Sequence, residues 1–212
     1  AIQPTAAQAQ ITEIPGARGG ETNTSASATG DGAFALGVSA TASCTNAAAI
    51  GRLSNASGKN AFAIGTTAKA SSTSAIAIGK SSKAIVGESA LAIGASANAS
   101  AQQSIAIGAS ANAQNQYAIA IGCQAKATAD KAIAIGTSAN ASGQGIAIGQ
   151  QANSTACSIA IGFQSKAFNA GTIAIGCQAS ASKDKAVALG DSAEATGTNS
   201  YAIGVQAEAT KE

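Results

Sequence analysis

The stretch Gly79-Lys80-Ser81 imitates the end of a phosphate-binding loop, in which backbone N–H groups and a lysine cradle a phosphate. That chemistry needs a glycine at position 74, where this chain has Ser74. The carboxylates are scattered, and only Asp191 and Glu194 fall close together, so the sequence sets up no acid–base pair, and it contains no histidine. Asn-x-Ser/Thr triplets begin at Asn23, Asn55, Asn98, Asn140 and Asn153 and match glycosylation acceptors. Cys44, Cys123, Cys157 and Cys177 raise the question of a disulfide framework. Whether any two of them can meet depends on the elements that carry them.

Composition narrows those elements. The chain has 212 residues, of which 46% are apolar but only 3% aromatic, with no Trp and no Met. Most of the apolar share is alanine, so an ordinary globular core would be short of buried area. Small side chains must instead pack close backbones. A net charge of +2, from 12 basic and 10 acidic residues, argues against a nucleic-acid surface or a polybasic membrane surface. No apolar run approaches the ~18 residues of a membrane span. The opening residues AIQPTAAQAQ show neither a charged n-region nor an apolar h-region, and are read as the start of a mature or excised fragment.

Internal repetition sets the organisation. A glycine preceded by Ile or Leu, and before that by Ala, recurs at Gly37, Gly51, Gly65, Gly79, Gly94, Gly108, Gly122, Gly136, Gly149, Gly162, Gly176, Gly190 and Gly204, which makes thirteen units. The step is 14 residues, apart from one of 15 (Gly79 to Gly94) and two of 13 (Gly136 to Gly149 to Gly162). Residues 23–28 fit the second half of an earlier unit, so the repeats span 23–212, and residues 1–22 form a separate segment with no assigned structure. Each unit reads as two short strands and two turns, one coil of a flattened solenoid with coils stacked ~4.8 Å apart. A helix is excluded because glycine and Ser/Thr/Asn turns interrupt the chain in every unit.

Strand periodicity then sorts the faces. In Ser104-Ile105-Ala106-Ile107-Gly108 the two isoleucines share one face and Ala106 lies on the other. The expectation from size is that isoleucine fills the roll, facing Ala111 and Ala113 of the second strand. Phe34, Phe62 and Tyr201 are then inward too, with Ala48 between the two phenylalanines. On this reading the invariant alanine two before each glycine points outward, including Ala63, Ala77, Ala92, Ala106, Ala120, Ala134, Ala147, Ala160, Ala174 and Ala188. An outward column that never departs from alanine suggests close packing against other copies of the chain. The outward column of the second strand is polar, for example Lys69, Lys83, Asn112, Lys126, Asn140, Lys166, Glu194 and Glu208.

The same register separates the cysteines. Cys123 and Cys177 hold one turn position four coils apart, about 19 Å at strand spacing, whereas a bridge needs Cα atoms within about 7 Å. Cys44 and Cys157 lie at the opposite turn, eight coils apart. Four free thiols are expected.

The repeated [S/A]-[I/V/F]-A-I-G-x-x-A-x-A unit resembles the YadA-like head repeats of bacterial trimeric autotransporter adhesins, over about 190 of the 212 residues. The resemblance implies an all-β, left-handed parallel β-roll of 14-residue, two-strand coils assembled as a homotrimer. Handedness comes from the family alone, since general crossover chirality favours right-handed connections. It also implies export, a place on the bacterial cell surface, and attachment to the outer membrane through an anchor absent from this fragment. The implied function is attachment to host extracellular-matrix proteins such as collagen, fibronectin or laminin, without catalysis, cofactor or metal. Bacterial export also argues against use of the glycosylation triplets. The four cysteines and the lack of a neck after Thr210 depart from the family pattern.

Candidate ligand residues are the basic cluster Lys69, Lys80 and Lys83 and the apolar turn residues Ile85, Val86, Phe163 and Phe168. The lysines and the acidic far end make the head basic toward its N-terminal end. A competing reading is a structural spacer with no ligand of its own. IGASAN also resembles the hexapeptide repeat of acyltransferases, but those need a period of 18 and typically a catalytic histidine. A flat ice-binding array is disfavoured because the polar column carries almost no threonine.

Overall fold

The computed structural model describes residues 26–210, so the segment 1–22 and the start of the first half coil lie outside the described residues. None of the described residues is helical. The chain divides into two compact units, one ending at Gln103 and the other beginning at Ser104.

Both units are parallel β-solenoids of two-strand coils, in which a three-residue strand and a two-residue strand alternate along the chain. In the first unit the three-residue strands, Phe34–Leu36 to Leu91–Ile93, form one sheet, and the two-residue strands, Ser27–Ala28 to Asn98–Ala99, form another. The second unit repeats the plan with strands Ile105–Ile107 to Tyr201–Ile203 opposite Asn112–Ala113 to Glu208–Ala209. Equivalent residues pair, Ile119 with Ile133 and Ala120 with Ala134, so within each unit successive coils stack strand on equivalent strand.

Each coil turns twice, and both turns use the same device. In the first, Ala139 N–H donates to Gly136 O at 3.1 Å, and in the second Ala132 N–H donates to Ala129 O at 3.2 Å. In the 14-residue coils the third residue of each turn is left-handed, with φ of 57° at Ser138 and 60° at Lys131, whereas in the shortened second turns it is the second residue, Gly143 at 70° and Ala156 at 49°. For a residue with a Cβ this conformation is unfavourable by about 1 kcal/mol. Hydrogen bonds between coils hold it in place: Ser138 N–H donates to Cys123 O and Lys131 N–H to Gln116 O, both at 2.8 Å.

The repeat glycine opens the first turn for two reasons. At Gly136 φ is 132°, and a Cβ there would lie 2.4 Å from Gly149 O of the next coil. All variation in coil length falls in the second turn. The extra residue of the long coil lies within Ile85–Ser89, and the short coils are closed by Ser142–Gly145 and Thr155–Ser158. Stacked glycines leave the first turn no freedom, whereas the second can lengthen or shorten without breaking either ladder.

The interior overturns the expected facing of the longer strand. Ala63, Ala77, Ala92, Ala106, Ala120, Ala134, Ala147, Ala160, Ala174 and Ala188 are each 0% exposed within a single chain. They point into the roll and cannot form a surface between copies. Their neighbours Ile105, Ile107, Ile133 and Ile135 point outward and are half-buried by stacking on the same column in adjacent coils. Phe34, Ala48 and Phe62 are likewise outward, and Tyr201 is 66% exposed. The physical reason is volume. Alanine columns from both sheets face each other, and the largest fully buried side chain is Thr172, so this interior has no room for isoleucine. The second strand is as expected, with Ala111 and Ala113 inside and Asn112 outside.

Substitutions inside the roll respect the same limit. Ser104, Ser158, Thr172 and Ser200 replace alanine in one interior column. Ser158 and Thr172 turn their hydroxyls to the carbonyls of Ala167 and Asn169, at 2.9 and 2.7 Å. Gly145 and Ser154 compensate each other, since a Cβ at 145 would meet Ser154 Oγ at 2.6 Å.

Candidate assembly and binding surfaces

Two unlike faces cover the roll. The three-residue strands place two side chains per coil outward, giving two apolar ladders. In the second unit one runs Ile105, Ile119, Ile133, Ile146, Ile159, Ile173, Val187, Tyr201, and the other Ile107, Ile121, Ile135, Ile148, Ile161, Ile175, Leu189, Ile203. Seven coil steps make this strip ~34 Å long. A contiguous apolar strip of that kind is far larger than scattered surface hydrophobes and marks a surface made to be covered. Only small side chains lie beneath it, so these ladders hold most of the large apolar groups of the unit.

The two-residue strands place one side chain per coil outward, and this face is polar. Lys126, Lys166, Glu194 and Glu208 are exposed, and Asn140 and Asn153 are half-buried. Neighbours bond along the column, with Asn140 Nδ2 donating to Asn153 Oδ1 at 3.1 Å. The left-handed residues of the first turn build a parallel ladder. There Gln164 Nε2 donates to Gln151 Oε1 at 2.8 Å and Gln178 Nε2 to Gln164 Oε1 at 3.3 Å. Stacked amides of this sort offset part of the strain in the left-handed turns. The sequence carried their signal, a polar residue two after every repeat glycine except Gly51, where Leu53 stands, but the interactions follow only from register.

In the first unit Lys69 and Lys83 are paired in register on adjacent two-residue strands, with Lys80 in the turn that follows Gly79. All three are exposed. Ile85 and Val86 are 36% and 56% exposed in the lengthened second turn of the same unit. In the second unit Phe163 follows Gly162 in a first turn and Phe168 follows the strand Lys166–Ala167, so the two rings sit at opposite edges of one coil. Lys80 and Ile85 hold the same two turn positions in their coil as Phe163 and Phe168 do in theirs, so Lys69 and Lys83 adjoin in register on the polar face while Lys80 lies at its first-turn edge and Ile85 and Val86 at its second-turn edge.

All four thiols are free. Cys44 occupies the opening position of a second turn, where Asn115 and Asn169 stand in other coils, and it acts as they do. Cys44 Sγ donates to Ser57 O at 2.9 Å, just as Asn169 Nδ2 donates to Ser182 O at 2.6 Å. Among the described residues, no group of three or more histidines, cysteines and carboxylates is placed to hold a metal ion, and no helix is long and apolar enough to cross a membrane.

Among curated proteins none matches the chain. Among solved structures it is similar to the collagen-binding domain of the Yersinia adhesin YadA, at 23% identity over 74% of this chain and 69% of that one, with a TM-score of 0.34. The family model "YadA head domain repeat (2 copies)" matches residues 28–54, 56–82, 86–111, 113–139, 127–152, 158–176, 170–193 and 195–212. With its glycine ladder, its two-strand coils and family matches over most of its length, the chain belongs to the YadA head repeat family, and is an adhesin-type, exported cell-surface head rather than an enzyme.

Proposed function

We propose that this head works as a homotrimer that attaches bacteria to host extracellular-matrix proteins such as collagen, fibronectin or laminin, held at the outer membrane by an anchor elsewhere in the protein. One observation carries the reading: one outer face of the roll is apolar along its ladders and the other is polar. Copies of the chain that bury the isoleucine ladders against a shared axis leave the Asn/Lys/Glu face and the turns to solvent. The contact surface is thus the isoleucine column in place of the alanine column. Ligand contacts repeated along the coils and among three chains gain strength from proximity even when each is weak.

The ligand surface we assign first is the basic cluster Lys69, Lys80 and Lys83, with Ile85 and Val86 beside it, and Phe163 and Phe168 as a second apolar candidate. Light scattering on the intact fragment should give the mass of three chains, and immobilised collagen, fibronectin and laminin should capture it. Replacing Lys69, Lys80 and Lys83 together by Gln should keep the trimer and weaken capture, with a smaller salt dependence than the wild type. A monomeric head overturns the assembly. A trimer that no matrix protein captures is a spacer. Capture by the triple variant equal to wild type across a salt series moves the ligand surface to the apolar turns.

A further inference from the structure

The polar face of the second unit contains a groove of about 500 Å3 lined by Ser110, Gln124, Lys126, Ser138 and Asn140. Three consecutive coils build it. Ser110, Gln124 and Ser138 hold equivalent left-handed turn positions, with φ of 56°, 58° and 57°. Lys126 pairs in register with Asn112 on one side and Asn140 on the other. Side-chain length opens the groove. Farther along the same turn ladder, Gln151, Gln164 and Gln178 lie amide on amide and occupy the equivalent space. Around Lys126 two serines flank a single glutamine, and Ser138 Oγ donates back to Gln124 Oε1 at 3.4 Å, which leaves the floor beside the lysine uncovered.

Every lining residue is a hydrogen-bonding one, one is a cation, and none is a carboxylate or an aromatic ring. The acidic residues of the column, Glu194 and Glu208, begin five coils beyond Lys126, about 24 Å away at strand spacing. A fitting ligand must therefore bring negative charge and many hydroxyls, in an extended form that follows the coils. Coils recur every ~4.8 Å, close to the advance of one pyranose along an extended glycan. A peptide would need an open strand edge or apolar pockets. Here the strands are already paired on both sides, and the lining residues are Ser, Gln, Lys and Asn, with no large apolar side chain among them.

We infer that this groove binds a linear acidic polysaccharide lying along the ladder, with a uronate carboxylate or a sulfate at Lys126 and sugar hydroxyls at Ser110, Gln124, Ser138 and Asn140. The inference rests on the adhesive reading above and assigns it a ligand chemistry at a different site from the Lys69–Val86 candidates.

The test is calorimetric titration of the intact fragment with a heparin hexasaccharide, alongside capture on immobilised matrix proteins. Lys126→Gln removes the charge. Ser110→Gln with Ser138→Gln fills the groove with a residue the turn ladder already accepts at Gln124, Gln151 and Gln164. Lys185→Gln removes an exposed charge in a second turn, on the other edge of the coil. The expected result is that the wild type binds, that Lys126→Gln and the filled variant each weaken binding about tenfold without changing the melting curve, and that Lys185→Gln changes nothing. Equal losses from Lys126→Gln and Lys185→Gln would reduce the site to general electrostatics and overturn it. So would unchanged affinity in both groove variants, or a polyglutamate peptide binding as tightly with the same dependence on Lys126. If the hexasaccharide does not bind while matrix proteins still capture the head, the groove assignment fails and the adhesive reading stands. If no matrix protein captures it but hexasaccharide binding follows Lys126, the groove stands and the matrix assignment fails.

Discussion

The isoleucine face and the Asn/Lys face of this roll share one interior and present opposite surfaces. The three-residue strand sets Ile133 and Ile135 outward, and the two-residue strand sets Asn140 outward, while Ala134, Ala139 and Ala141 between them are fully buried. Such an interior contributes little, because burying a methyl group yields far less than burying an isoleucine. The large apolar side chains are instead on one outer face, half-covered by their neighbours in adjacent coils. In the proposed trimer, stabilisation that a globular domain obtains inside itself is completed by another chain, so assembly and core formation become one event and the polar face is left for recognition.

The sharpest way to break that comparison is to charge the shared interior. Ala134→Lys puts an ammonium group into a space that admits nothing larger than threonine. Loss of solvation and overpacking together should destabilise by about 5 kcal/mol or more, and the β-sheet circular dichroism should be lost, not merely the oligomer. A folded monomer from this variant would mean that the alanine column faces outward after all.

Next in size is Gly136→Ala, which tests the edge joining the two faces. The new Cβ would sit in a left-handed conformation at φ 132° and 2.4 Å from the Gly149 carbonyl oxygen. Relief requires adjacent coils to separate, so both ladders are strained at once. A loss of about 3 kcal/mol is expected. In contrast, Gly171→Ala meets nothing closer than Lys185 Cγ at 3.6 Å and should cost about 1 kcal/mol from its positive φ alone. Equal melting temperatures for the two variants would remove the distinction between the constrained first turn and the accommodating second.

The period, the strand and turn positions, the polar second-strand face and the unpaired cysteines were all legible in the sequence, because they depend on spacing, and spacing survives any choice of face. The facing of the longer strand was not. Ranking by hydrophobicity puts isoleucine inside, a rule that holds where the interior volume is free to match the side chain. Here the turn and glycine ladders fix the separation of the sheets first. A subtler signal was present: the Ala134 column never exceeds alanine, and its inward neighbour column holds only alanine, serine, threonine and glycine, whereas the Ile133 column ranges from Ala48 to Phe34 and Tyr201. A ceiling on size marks an enclosed space, and variation in size marks a face that can adjust. The groove at Lys126 was not legible, because it arises from the order of serines and glutamines along a ladder that exists only once the register is known.

A smaller effect separates the roll from its assembly. Ile135→Ala removes a half-buried side chain from the outer strip, so a single chain should lose about 1 kcal/mol or less. In the proposed trimer the same side chain lies in the contact, and the loss should rise to about 2–3 kcal/mol. The midpoint of thermal unfolding should therefore depend more steeply on protein concentration in the variant than in the wild type. A concentration-independent loss would place Ile135 outside the contact between chains.

The smallest effect belongs to the polar face. Asn140→Ala deletes the bond from Asn140 Nδ2 to Asn153 Oδ1, 3.1 Å long and on a side chain that solvent reaches. Water replaces such a bond at little cost, and asparagine is no better a strand residue than alanine, so propensity adds no loss. The cost is about 0.5 kcal/mol or less, several times below that of Ile135→Ala in the assembled protein. Since Asn140 is turned away from the isoleucine strip, its loss should be the same at all protein concentrations and leave the oligomer unchanged. A melt in which Asn140→Ala equals Ile135→Ala, or shares its dependence on concentration, would mean that the polar face is also buried between chains and is not the surface offered to a ligand.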